Sequence, residues 1–247
     1  MARTVLFSNK DLAKFINENF EPVWQSVREV PIVNIDFGNG NTVKRTINGN
    51  VATFVCNSNG EVLDVLPGLY SSDSYKSRLE QLCLLNKYIE QFSAKNVGNL
   101  LGNYHHMQYQ RLLAGKTTIE LALKNKEDGN SRLVFTDKAP SELKRWQEPI
   151  SSNESYRTLP FSDSLDEWSQ LNDDVRYNET VMRKQIHNRL EHMQKSKEPA
   201  TVAGLSKWIY REVLHTDIDD PYLGLQTVLD GTYPFEKMNR VRPLGGS

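Results

Sequence analysis

The residues with the most obvious chemistry are two cysteines, five histidines and a few carboxylates at short spacing. A nucleophilic thiol needs a lowered pKa, supplied by a helix N-terminus, a neighbouring cation or a Cys-x-x-Cys pair. Cys56 lies in the apolar run Val51 to Cys56, and Cys83 lies on the apolar side of a helical pattern. Both therefore read as small hydrophobes of the core. Whether they form a disulfide depends on geometry that sequence does not supply. The histidines are His105, His106, His187, His192 and His215. His187 and Glu191 are four apart on a helix, a spacing at which two side chains can share a metal or make a solvated surface contact. The surface contact is the preferred reading. Met182, Ile186, Leu190 and Met193 mark the buried stripe of that helix, and His187 flanks it. His105 and His106 are adjacent on a helix and point about 100° apart, which is poor for chelating one ion. No Cys/His cluster has zinc spacing, and no metal or other cofactor is expected.

Three further stretches invite a functional reading. Gly115-Lys116-Thr117-Thr118 resembles the tail of a phosphate-binding loop. The full pattern needs glycine five positions before Gly115, where Gln110 stands, and a buried strand before that. A helix break followed by Thr117 as a cap is the better reading. Asp217, Asp219 and Asp220 resemble a cation loop but lack its central glycine and terminal glutamate. They read as an acidic turn after a helix ending near His215. Asp219 or Asp220 would then cap a short helix begun by Pro221, with Tyr222, Leu223 and Leu225 as docking anchors. Arg183, Lys184, Arg189, Lys195 and Lys197 alternate with Glu179, Glu191 and Glu198, the pattern of a solvated helix face. The 30 basic and 31 acidic residues give a net charge of -1. Nucleic acid and an anionic membrane surface are therefore not expected as partners, and no set of catalytic residues is assigned.

The elements that must position these groups follow from periodicity and turn signals. With 38% hydrophobic and 25% charged residues, the chain has the composition of a globular protein. Ser8 reads as an N-cap with Asp11 three residues on, and Leu12, Phe15, Ile16 and Phe20 continue at helical spacing. Pro22 to Val27 reads as a strand. Ile32 to Phe37 is extended and can pair with Thr42 to Ile47 across Gly38-Asn39-Gly40-Asn41. Val51 to Cys56 and Glu61 to Leu66 read as partner strands around Asn57-Ser58-Asn59-Gly60. A long amphipathic helix starts near Ser72 and carries Tyr75, Leu79, Leu82, Cys83, Ile89 and Phe92. Beyond residue 96 the pattern is mostly helical, over about 97–113, 117–126, 141–147, 163–195 and 201–215. A short strand, Arg132 to Phe135, lies within the loop-rich stretch 127–162. No apolar run is long enough to cross a bilayer, and no signal peptide is recognised at the start of the chain.

The order of elements over residues 8–94 is similar to that of the thioredoxin-like superfamily. The resemblance is closest to its bacterial branch, and two blocks carry it. Phe7-Ser8-Asn9-Lys10-Asp11-Leu12, leading to Phe20, resembles the family's F-S-D-P-E-V…F-V. Ala52-Thr-Phe-Val-Cys-Asn-Ser-Asn-Gly-Glu-Val-Leu-Asp-Val-Leu-Pro-Gly68 resembles P-T-x-V-F-L-D-x-x-G-x-V-x…G. The resemblance implies a thioredoxin fold, but this sequence departs from it at the redox site. No Cys-x-x-Cys precedes Phe7, and Val51-Ala52 stands where the family has its cis-proline. The expected fold class is α/β, a thioredoxin-like core over 1–95 followed by a mostly helical region, 96–247, packed on it. The expected function is a non-redox binding or scaffold protein, with a protein partner, in a reducing cytoplasm. One alternative is a thiol–disulfide exchange protein whose dithiol lies upstream or on a partner chain. A weaker alternative is a metal-dependent hydrolase using His187, Glu191, His215 and Asp217.

Overall fold

In the computed structural model the residues described are 7–46, 49–115, 118–124, 132–138 and 175–225. The fold is mixed α/β with antiparallel strand pairing. The chain divides into two compact units. The first comprises Met1–Gln25 and Val51–Ser206, and the second comprises Ser26–Asn50 and Lys207–Ser247. Residue 95 falls inside the first unit.

The first unit begins with helix α1, Lys10–Asn19. Its N-cap is Asn9, where the sequence suggested Ser8. The Asn9 side chain accepts from the backbone N–H groups of Asp11 and Leu12, each at 3.0 Å. Short polar side chains at this position satisfy amides that have no partner within the helix. Pro22 to Val27, read as a strand, is irregular in the structure. Pro22 has no N–H to donate, and Val23 and Trp24 are largely exposed, so nothing there completes a ladder.

Strands β3 (Ala52–Cys56) and β4 (Val62–Pro67) form the expected antiparallel hairpin, with a bulge between Val55 and Cys56. The turn is fixed by Asn57, whose side chain accepts from the N–H of Asn59 and of Glu61. Gly60 occupies the left-handed region at φ 78°, which a side chain would strain. Every residue of β4 is buried, Asp64 included. The free edge of β4 is partly covered, because Ala200 accepts from the Val62 N–H at 2.7 Å.

Helix α2 spans Ser72–Ile89 and is capped by Ser71, whose hydroxyl accepts from the Ser74 N–H at 2.9 Å. Its buried stripe is Tyr75, Arg78, Leu79, Leu82, Leu85 and Ile89. These meet Leu12, Val55, Leu63, Leu66, Tyr70, Leu101 and Tyr104 in one apolar core. Helix α3, Ala94–Leu113, ends at Ala114 and Gly115, the latter at φ 60°, so the expected helix break is present. The region read as helical over 117–126 is instead strand β5, Thr118–Lys124, paired residue by residue with β6, Arg132–Lys138. Ile119, Leu121 and Leu123 alternate with Thr, Glu, Ala and Lys. That is a strand period, and pairing with β6 settles the choice.

A continuous helical run then begins at 175. It passes through a π-helical turn, Asn178–Met182, and becomes helix α4, Arg183–Ser196. α3 and α4 make the most extensive helix–helix contact among the described residues. Gly98 and Gly102, one turn apart on α3, lie in it. A Cβ at either would already touch the Gln194 side chain, at 3.4 and 3.5 Å. Helix α5, Val202–Trp208, follows and continues as a second π-helical turn, Ile209–Val213. No helix among the described residues is long and apolar enough to cross a membrane. The expected helix at 141–147 and the first part of 163–195 lie outside the described residues.

The second unit contains the expected hairpin, β1 (Ile32–Asp36) paired with β2 (Thr42–Thr46), Asp36 opposite Thr42. Asp36 and Asn39 cap that turn through their own side chains, accepting from the N–H groups of Gly38 and Asn41. The same unit holds the acidic turn after His215. Asp217 accepts from the Asp219 N–H, and Asp220 from the Tyr222 N–H. The short helix expected from Pro221 does not form. Residues 221–224 make a turn, with Leu223 at φ 57°. Leu223 and Leu225 are buried, whereas Tyr222 is exposed.

Candidate functional site

The chemically notable feature of the first unit is a group of charged and polar side chains in its interior. Asp64 comes from β4, Tyr70 from the connection after β4, and Arg78 from α2. Tyr104, His105, Gln108 and Arg111 come from α3, Asn178 and Glu179 from the π-helical turn, and Arg183 and His187 from α4. All are buried. On α3 the contributing positions follow Leu101 at helical spacing, so one stripe carries apolar and then polar groups toward α4.

A buried charge is tolerated only when paired and hydrogen-bonded. Two ion pairs meet that condition here. Asp64 accepts from Arg183 Nη2 at 2.5 Å, from the Tyr104 hydroxyl at 3.2 Å and from the Val65 N–H at 2.8 Å. Three converging donors suit a carboxylate. Burial pushes the Asp64 carboxyl above its usual range, against the pull of Arg183. Arg78 grips Glu179 through Nε, at 3.1 and 3.3 Å from the two carboxylate oxygens, and through Nη2. Arg183 Nη1 approaches the same carboxylate at 3.6 Å. Burial raises the Glu179 carboxyl, but Arg78 and Arg183 outweigh it and hold the pKa at about 2. The Asn178 amide donates to the Leu69 carbonyl at 2.9 Å, which ties the π-helical turn to the end of β4.

The histidines occupy the centre of this network. Arg183 Nη2 lies 3.0 Å from His187 Nε2, and His187 Nδ1 lies 3.0 Å from His105 Nδ1. Burial, with Arg183 next, lowers the His105 pKa to about 3. The same causes drive His187 well below the usual imidazole range. Both rings are neutral near pH 7. His187 has each nitrogen engaged inside the protein, so it has no lone pair to offer a substrate as general base. The Asp64 carboxylate is engaged likewise. As built, this network locks elements together and does not form an open acid–base site.

The expected surface contact of His187 with Glu191 is therefore corrected. His187 is fully buried, because the helix is rotated so that Arg183 and His187 share its inward face. Glu191 instead meets His106 Nδ1 at 2.9 Å and the Lys195 ammonium. Burial raises its carboxyl, and these two partners bring it below the usual range. The solvated-face reading of this stretch fails at Arg183, Glu179 and Glu191, all buried. His105 and His106 do point apart, His105 inward to His187 and half-exposed His106 toward buried Glu191.

Cys56 and Cys83 are free and half-buried, so neither belongs to the buried core that the sequence suggested. Burial raises both thiols above their usual pKa. Gly115 closes α3, and Thr118 opens a strand. Lys116 and Thr117 lie outside the described residues. His187 and Glu191 belong to the first unit, and His215 and Asp217 to the second. Among the described residues no group of three or more His, Cys, Asp or Glu side chains is placed to hold a metal. Most of the network was missed in the sequence. The available signals were a lone Asp inside Val62-Leu63-Asp64-Val65-Leu66 and an Arg on the apolar stripe of α2.

No family model, no curated protein and no solved structure matches this chain.

Proposed function

We propose that this chain is a non-redox binding or scaffold module built on a divergent thioredoxin-like core. Its protein partner would be met in a reducing, cytoplasmic compartment that keeps both thiols free. The observation that carries the reading is the state of those thiols. Cys56 and Cys83 are unpaired, half-buried and shifted by burial toward the protonated form. A thiol in that form is neither a good nucleophile nor a good leaving group for disulfide exchange. The core reading is supported by the order of α1, the β3–β4 hairpin with its asparagine turn, and α2. It is also supported by Gly68, which leads into α2 in the left-handed conformation at φ 73°. The closed ionic network fits a scaffold, since buried pairs between β4, α2 and α4 hold those elements in one arrangement.

The test has two parts. Reduction of insulin by dithiothreitol, followed by turbidity, should proceed no faster with the chain than without it. An acceleration lost in Cys56→Ser or Cys83→Ser overturns the non-redox reading. For the binding part, partners are found by cross-linking in cells and then titrated as purified proteins. A partner that binds the double Cys→Ser variant as tightly as the native chain is the expected result. A partner held only through a thiol favours exchange chemistry instead.

A further inference from the structure

The hydrogen-bond polarity of the histidine pair is fixed by its neighbours. An arginine guanidinium donates and never accepts. His187 Nε2, facing Arg183 Nη2 at 3.0 Å, is therefore the acceptor. A ring whose Nε2 accepts carries its hydrogen on Nδ1. His187 Nδ1 thus donates to His105 Nδ1 at 3.0 Å. His105 Nδ1 is then an acceptor, and its hydrogen must sit on Nε2. This N–H is fully buried and has no hydrogen-bond partner among the described residues. The donor role of His105 Nε2 cannot be reversed without turning round both preceding bonds. A buried donor left without an acceptor is costly.

Three residues further along the same face of α3 is Gln108, 1% exposed, whose Oε1 also has no partner among the described residues. Side chains at this spacing on a helix are neighbours, with Cβ atoms about 5–6 Å apart. One is an obligatory donor and the other an acceptor. We infer that His105 Nε2 and Gln108 Oε1 are the two poles of an internal binding site for a hydroxyl group, which accepts from the histidine and donates to the glutamine. Buried waters typically make about three such bonds. The same chemistry is offered by a water molecule and by an alcohol or polyol hydroxyl. A metal ion is disfavoured, because the polarity presents an N–H and not a lone pair at His105, and Arg183 stands behind the pair.

The test is nuclear magnetic resonance on the intact, uniformly 15N-labelled chain. Long-range 1H–15N correlations of the imidazoles report the tautomers. The expected result is the Nε2–H form for His105 and the Nδ1–H form for His187, both neutral near pH 7. Nuclear Overhauser contacts from the His105 Nε2–H then report its neighbour. A contact to a long-lived water identifies water as the guest. A contact to a non-protein resonance, with a hydroxylic compound released on denaturation and seen by mass spectrometry, identifies an organic guest. Gln108→Leu, which keeps helix propensity and size, should abolish either contact. The Nδ1–H tautomer at His105, or a contact only to another protein side chain, overturns the inference. A guest signal that survives Gln108→Leu overturns the assigned acceptor pole.

Discussion

Lowering the pH should weaken the protein well before its carboxylates protonate. The imidazoles of the unfolded chain take up protons near the usual value of 6.5, whereas folded His105 resists until about 3. Between those values the unfolded state binds a proton that the folded state refuses. Stability therefore falls as pH falls through this window and is fully present only above about 6.5. The gap of 3.5 units corresponds to about 5 kcal/mol once the pH nears 3, at ~1.4 kcal/mol per unit. Near pH 5 the loss from His105 alone is about 2 kcal/mol. His187 shifts in the same direction and adds to it. Glu179, held at about 2, contributes only as pH falls below about 4.5. Asp64 acts with the opposite sign, since its raised carboxyl binds a proton more readily in the folded chain. It offsets part of the loss at the acid end. For a chain of this length a 2 kcal/mol change lowers Tm by about 4–8 °C. Thermal melts followed by circular dichroism, near pH 7, 6 and 5 at constant ionic strength, measure this directly. A Tm that holds within about 1 °C from pH 7 to pH 5 would show that the two rings are not buried neutral, and would refute the network as drawn.

Three more outcomes follow from the same geometry. Arg183→Met removes the partner of buried Asp64 and the donor to His187, and should cost about 3–5 kcal/mol in urea denaturation. A loss under about 1 kcal/mol would mean that Asp64 is solvated. Gly68→Ala places a Cβ 2.5 Å from the Asn178 amide at a backbone φ of 73°. It should lower stability by about 2–4 kcal/mol through left-handed strain and displacement of Asn178, and a neutral substitution would mean that the Asn178–Leu69 contact is not formed. Cys56 and Cys83 should react with Ellman's reagent more slowly than a free thiol near pH 7 and at the free rate in denaturant, because burial keeps them protonated. Equal rates folded and unfolded would contradict their burial.

Local signals in the sequence located the β3–β4 hairpin, the two long helices and the break at Gly115, because turns and amphipathic stripes are written in consecutive residues. Thr118–Lys124 was misread because a short apolar segment serves either period, and pairing with Arg132–Lys138 decides it from a distance. Pro22 to Val27 was misread for the converse reason, as strand-like residues without a partner ladder. The polar network was the least legible. Glu179 and Arg183 look like ordinary surface charges in sequence, Arg78 shows only as an Arg on an apolar stripe, and the docking of α2, α4 and the π-helical turn brings them inward against one another. His187 shows the same limit. Its spacing to Glu191 is visible, but the helix rotation that buries both, His187 against His105 and Glu191 against His106 and Lys195, is not.

Gly98 and Gly102 lie on the same helix contact as the histidine pair. His105 follows Gly102 by three residues, and the helix it reaches is the one whose Gln194 rests on both glycines. The 3.0 Å contact between the imidazole nitrogens spans the same pair of helices. Alanine at either glycine brings a methyl group only into ordinary contact with the Gln194 side chain. A hydrogen bond tolerates only a few tenths of an ångström of stretch before it weakens. Because the glycines and the histidine pair share one helix contact, large side chains at the former and substitutions at the latter are expected to be non-additive in stability.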